Sequence, residues 1–122
     1  MKTYKIIVLV VNSLVEGMVA ILMLANPNLM VEISNAEMLA RSFSMGALSI
    51  CFLGISMIIW QGKEITVAGL AILSIYHTGI GIIQSIDPSG KFPPMAIALF
   101  HGWLVMSFLL LLWQTLRQNK QH

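Results

Sequence analysis

Apolar residues come in four long runs separated by short polar breaks. The runs lie near 5–26, 36–60, 64–86 and 93–116, and the breaks read "NPNLMVEIS", "QGK" and "DPSGKF". Each run is close to the ~20 residues that a helix needs to cross the hydrocarbon of a bilayer. The pattern predicts an all-α protein, a four-transmembrane-helix antiparallel bundle, because connections this short make consecutive helices neighbours. Local signals agree with the boundaries. Pro27 stops the first helix, and Ser34 with Glu37 has the S-x-x-E spacing of a capping box for the second. Gly62 separates the second from the third. Asp87-Pro88-Ser89-Gly90 is a turn signal, and Pro93 and Pro94 fit the first turn of the fourth helix.

Composition sharpens this. Of 122 residues, 57% are hydrophobic and 10% charged, and the mean hydropathy is +0.85. A soluble domain carries about 25% charged residues, so lipid is the expected solvent. The expected location is the cell membrane, as one multi-pass integral domain over residues 1–122. The first run is too long for a cleaved signal peptide. A net charge of +2 gives no reason to expect nucleic acid. With Cys51 as the single cysteine, an internal disulfide and a multi-cysteine metal site are excluded. Lys2, Lys5, Lys63, Arg117 and Lys120 fall on one side of the predicted bundle and Lys91 on the other. That bias predicts cytoplasmic N and C termini.

Ionisable residues inside a membrane are expensive and mark sites by default. Glu16, Arg41, His77 and His101 qualify. His77 and His101 each stand twelve residues from Ser89, the centre of the turn joining their helices. An antiparallel hairpin puts them at one level, ~12–14 Å below the outer boundary at ~1.5 Å per residue. Glu16 falls ~15 Å deep and Arg41 ~8 Å deep on the same scale. Small and polar stripes accompany them. Asn12, Ser13 and Glu16 share a face of the first helix, Ser42, Gly46 and Ser49 one of the second, and Ser74, His77, Thr78, Gly81 and Gln84 one of the third. Ala98 and Gly102 make a small pair beside His101.

These residues predict a buried pocket for a small or lipophilic molecule. Glu16, His77 and His101 are its candidate catalytic, proton-exchanging groups. Asn12, Arg41, Ser42, Ser74, Tyr76 and Gln84 are candidate ligand contacts. Four alternatives stay open, and the cofactor is unknown. Glu16, His77 and His101 are also a two-imidazole, one-carboxylate set of the kind zinc and non-haem iron use. The histidines could instead clasp a haem, with Arg41 pairing a propionate, although adjacent helices pack only ~8–10 Å apart. The chain could be a non-catalytic subunit on a larger membrane partner, or a homo-oligomer. It could be a proton-coupled exporter. Each residue also has a plainer reading: a histidine satisfied by a neighbouring hydroxyl, Arg41 snorkelling outward to lipid phosphate, or Tyr76 and the nine methionines as packing.

A carboxylate at mid-membrane in the first of four short helices resembles the small multidrug resistance family, which implies a proton-coupled exporter with Glu16 as the coupling group. That family's Gly- and Trp-containing third-segment motif is missing here. "EGMVAILMLANPNLM" (Glu16 to Met30) followed by "ARSFSMGALSICFLG" (Ala40 to Gly54) resembles the DoxX-like group of small four-helix membrane proteins. In both, a helix ending at Pro leads to an Arg near the start of the next helix, with Gly spaced behind it. The resemblance covers the first half of the chain and implies a four-helix membrane fold, with quinone-linked oxidation in some members. It carries over no catalytic residue.

Overall fold

A computed structural model describes residues 2–27, 37–86 and 93–118, with side chains in the second helix described from residue 40 onward. The Ser34–Glu37 cap, the 87–90 turn, Lys91 and Lys120 lie outside the described residues. The helices are α1 (Lys2–Ala25), α2 (Glu37–Ile59), α3 (Lys63–Ile86) and α4 (Pro94–Arg117). Each is long and apolar enough to cross a membrane; a 24-residue helix is ~36 Å long against a ~30 Å hydrocarbon core. The chain is a four-span membrane protein.

The ends follow local chemistry. The Asn26 amide bonds Leu22 O at 2.8 Å, and Pro27, with no amide, cannot extend α1 further. The Trp60 amide bonds Ser56 O at 2.8 Å, and the Gln61 side chain caps Ile58 O, closing α2 before Gly62. Pro93 precedes α4 with φ −57°, and Pro94 takes its first turn. Trp60 and Trp113 are exposed near the helix ends on the side of the termini, and the Arg117 guanidinium lies 4.0 Å over the Trp113 ring. Both positions suit an interfacial belt.

Packing divides the bundle into two hairpins. α1 lies closely along α2 and α3 along α4, whereas α1–α4 and α2–α3 touch more lightly and α1 stands diagonal to α3. The apolar core, including Leu9, Met57, Leu70, Leu104 and Phe108, fills the half of the bundle that carries the termini. The outward surface is equally apolar: Leu14, Ile75 and Met106 all point away from the core. Lipid tails are as apolar as leucine, so burying leucine gives helices little reason to associate. Polar contacts between the hairpins matter correspondingly more. Tyr4 OH and Ser107 Oγ meet at 2.8 Å, and because Ser107 donates to Trp103 O, Tyr4 is the donor. Lys5 Nζ donates to Thr66 Oγ1 at 3.0 Å. Two further links, at Asn12 and Glu16, belong to the site described next.

Two predicted small-residue stripes are corrected by this packing. Ser42, Gly46 and Ser49 are all exposed on α2, and a Cβ at Gly46 would meet nothing within 4 Å. Gly102 is exposed in the same way, so it does not bring α4 close to a neighbour within the chain. Gly81 does the expected work instead: a Cβ there would sit 3.1 Å from His101 Cβ. Its absence lets α3 and α4 approach beside the histidines.

Candidate functional site

At the centre of the bundle, polar side chains from α1, α3 and α4 meet directly above the apolar core. His77 is fully buried and His101 is 8% exposed. Their Nδ1 atoms are 2.8 Å apart. The symmetric placement about Ser89 predicts this level match, and Gly81 supplies the close approach. His77 Nε2 lies 2.6 Å from Asn12 Oδ1, so α1 reaches across the diagonal to α3. Tyr76, next in sequence to His77, donates its hydroxyl to Glu16 Oε2 at 3.1 Å. The other carboxyl oxygen, Oε1, is 3.9 Å from His77 Nδ1. Asn12 and Glu16 are one turn apart on α1, so one helix face supplies both partners. The Phe108 ring, 5.6 Å from the His77 ring, forms the floor towards the termini.

The proton positions follow from the acceptors. Asn12 presents its oxygen to His77 Nε2, so that nitrogen carries a proton and donates. When His77 is neutral its Nδ1 is bare, and His101 Nδ1–H donates to it. When His77 carries a second proton, the central bond reverses, and the Glu16 carboxyl faces the added charge. Either state fits without movement of a side chain.

The other predicted residues fall outside this cluster. Ser74 is buried, but its hydroxyl bonds Leu70 O within its own helix at 2.8 Å. Gln84 is half-buried. Arg41 and Ser42 have exposed side chains, so the cluster consists of the buried Asn12, Glu16, His77 and His101 with the half-buried Tyr76, without Arg41. The reason is geometric: side chains tilt towards the helix N-terminus, which carries Arg41 away from mid-membrane. One contributor is not legible as a site residue in the sequence: Gly54 of α2 packs on Asn12 and Ser13, where a Cβ would run into Ser13 Oγ and lie 3.3 Å from Asn12 Nδ2.

Among the described residues, no three His, Cys, Asp or Glu side chains are arranged to hold a metal ion. A zinc ion bound by both imidazoles at about 2.0–2.1 Å would hold the nitrogens roughly 3.3 Å apart at a tetrahedral angle. Opposed axial ligands of a haem iron would stand further apart still. The 2.8 Å contact has the length of a hydrogen bond and fits a shared proton better than either.

Beside the cluster, α1 and α2 leave a groove of about 620 Å³ that opens sideways on the apolar surface, with Ser13, Gly17 and Cys51 among its lining residues. No protein family, curated protein or solved structure matches this chain.

Proposed function

We propose that this protein binds a small lipophilic molecule within the membrane and exchanges a proton with it through Glu16, His77 and His101. The observation that carries the reading is the Nδ1–Nδ1 contact of 2.8 Å, with a carboxyl oxygen 3.9 Å from the same His77 nitrogen. Two imidazoles bonded directly through like nitrogens need one proton between them, and that proton can reside on either ring.

The relay balances as follows. A proton arrives at His101 Nε2, on the less buried of the two rings. His101 passes its Nδ1 proton to His77 Nδ1, leaving His101 neutral as the other tautomer. His77 is then an imidazolium, donating to Asn12 through Nε2 and facing Glu16 through Nδ1. The Glu16 carboxylate, 3.9 Å from that Nδ1, is the counter-charge of the imidazolium, and Tyr76 holds its other oxygen in place. The proton leaves by the reverse transfer to His101, so one proton stays between the two Nδ1 atoms throughout. The Leu and Phe layer beneath closes the route to the terminal side, which leaves the bilayer or the opposite end of the bundle as the source of ligand. The apolar lateral groove favours a lipophilic one.

The test is proton movement into liposomes carrying purified protein and a trapped pH dye, under an imposed pH gradient and with membrane extracts supplied as the source of ligand. Native protein is expected to move protons in an extract-dependent way, the lipophilic ligand carrying them past the apolar layer that closes the bundle. His77→Ala, His101→Ala and Glu16→Gln are each expected to abolish it. Movement that survives all three substitutions contradicts the reading.

A further inference from the structure

His101 ends the histidine chain with a nitrogen that bonds nothing. Its Nδ1 meets His77 Nδ1, and no hydrogen bond reaches its Nε2. Yet Nε2 is not enclosed: among the described residues, Asn12 Nδ2 is the one side-chain nitrogen or oxygen that is both buried and unpartnered. A residue only 8% exposed therefore brings this nitrogen to an accessible space. The direction of the chain fixes what the nitrogen needs. His77 donates through Nε2 to Asn12, so in the neutral pair His101 donates through Nδ1. A neutral imidazole carries one N–H, so Nε2 of His101 is then a bare acceptor.

The packing loosens beside it. The apolar core lies towards the termini. On the other side of the histidines, no residue of α3 from 78 to 86 and none of α4 from 94 to 100 is buried. Side chains lean towards the N-terminus of their own helix, and α3 and α4 run antiparallel. His101 therefore leans away from the core, over Ala98. Gln84 leans back towards the core, over Gly81, which faces His101 Cβ. Gln84 is half-buried, and its amide makes no hydrogen bond. The two side chains thus lean towards one level from opposite directions without bonding each other. The Phe100 ring flanks that of His101 at 5.5 Å. The neighbouring Leu99, Trp103 and Ile83 are exposed, so the surface around the opening is apolar.

We propose that this space binds a long-chain carboxylic acid, whose O–H donates to His101 Nε2 and whose carbonyl oxygen accepts from the Gln84 amide. The inference rests on the proposed function for its ligand and names that ligand's chemical class. A carboxylic acid sets a donor and an acceptor side by side on one carbon, as the two side chains require. A ketone or an ester brings no proton to a bare nitrogen. An alcohol donates a hydrogen bond but keeps its proton. A carboxylic acid is ordinarily a stronger acid than an imidazolium, so it can give its proton up. In the transfer the O–H bond of the acid breaks as Nε2–H forms, and Nδ1–H of His101 breaks as Nδ1–H of His77 forms. The products are a carboxylate accepting from Nε2–H, and the His77 imidazolium facing Glu16. The reverse transfer restores the neutral acid, the form that enters lipid at least cost. Its alkyl chain lies along the apolar exterior of α3 and α4.

The test uses the intact protein in lipid nanodiscs, 15N-labelled at histidine, with palmitic acid 13C-labelled at its carboxyl. Its methyl ester is the control. A magnetic-resonance dipolar contact between the carboxyl carbon and His101 Nε2 is expected, saturating at one acid per chain, and the ester should give none. His101→Phe should weaken acid binding about tenfold, the effect of removing one hydrogen bond. Ala98→Phe keeps both histidines but fills the space over which His101 leans. It should weaken binding as much while the nitrogen–nitrogen coupling of the pair persists. An acid that makes no contact with His101, or an ester that binds equally, overturns the proposal. Arrival of a proton on His77 is read in the same spectra. A bound acid that never protonates His77 keeps the ligand site and removes the relay. Protonation of His77 with no acid bound overturns this proposal and leaves the relay standing.

Discussion

His77 uses both of its ring nitrogens on side chains from other helices, Asn12 on α1 and His101 on α4. Neither bond stays within its own helix, unlike that of Ser74, whose hydroxyl returns to Leu70 O. Residues in one network do not add, so His77→Ala and His101→Ala should show a coupling energy of about 0.5–3 kcal/mol in a double-mutant cycle of unfolding. Additive losses would mean that the rings act separately. Glu16→Gln should leave the unfolding midpoint nearly unchanged, since glutamine can still accept from Tyr76, while removing proton exchange. Glu16→Leu, which removes a buried carboxyl but leaves the Tyr76 hydroxyl without its acceptor, should cost no more than about 1–2 kcal/mol. If both unfold the bundle in detergent, Glu16 is a structural hub. Much of this residue set was legible beforehand: four ionisable groups in apolar runs are conspicuous, and the mirror spacing about Ser89 sets the level of the histidines. For Arg41 the sequence offered both an inward contact and an outward reach to lipid phosphate, and depth along the helix does not decide between them; the side chain is exposed.

Among the helices, contacts concentrate within α1–α2 and α3–α4, and the seam between the hairpins is stitched by polar side chains. Such bonds contribute about 0.6 kcal/mol each in membrane proteins, with a maximum near 1.7. Tyr4–Ser107, Lys5–Thr66, Asn12–His77 and Glu16–Tyr76 therefore offer roughly 2–4 kcal/mol together. Close packing inside a hairpin should be more sensitive still. Gly54→Ala should destabilise by about 1–3 kcal/mol through overpacking against Ser13. Gly46→Ala, which meets nothing, should be neutral or favourable by about 1 kcal/mol from helix propensity alone. Equal effects in a detergent unfolding assay would show that α1 and α2 do not meet at Gly54. The helix spans could be read from the sequence to within one to three residues, because run length and proline placement set them. The inward faces could not. In lipid the outside of a helix is as apolar as its core, so the stripe of Ser42, Gly46 and Ser49 looks buried in the sequence and is exposed in the fold.

Across the whole molecule, four spans return the chain to the side where it began, and the basic residues predict that this side is cytoplasmic. With Cys51 replaced by alanine, single cysteines at positions 29 and 90 should react with an impermeant thiol reagent on intact cells, and cysteines at 62 and 121 should not. Reaction at all four would mean two orientations and would favour the exporter alternative. The assembled bundle also places an apolar layer between the termini and the central polar chain, so the account stands on that chain holding an exchangeable proton. The most direct measurement is 15N magnetic resonance of histidine-labelled protein in lipid as a function of pH. A shared proton predicts a nitrogen–nitrogen coupling between the two Nδ1 atoms, and 15N shifts of both rings that move together through one transition in the folded protein. Glu16→Gln should keep the coupling and displace the transition. Two imidazoles with no coupling, each fixed in one tautomer at every pH at which the bundle is folded, would contradict the account.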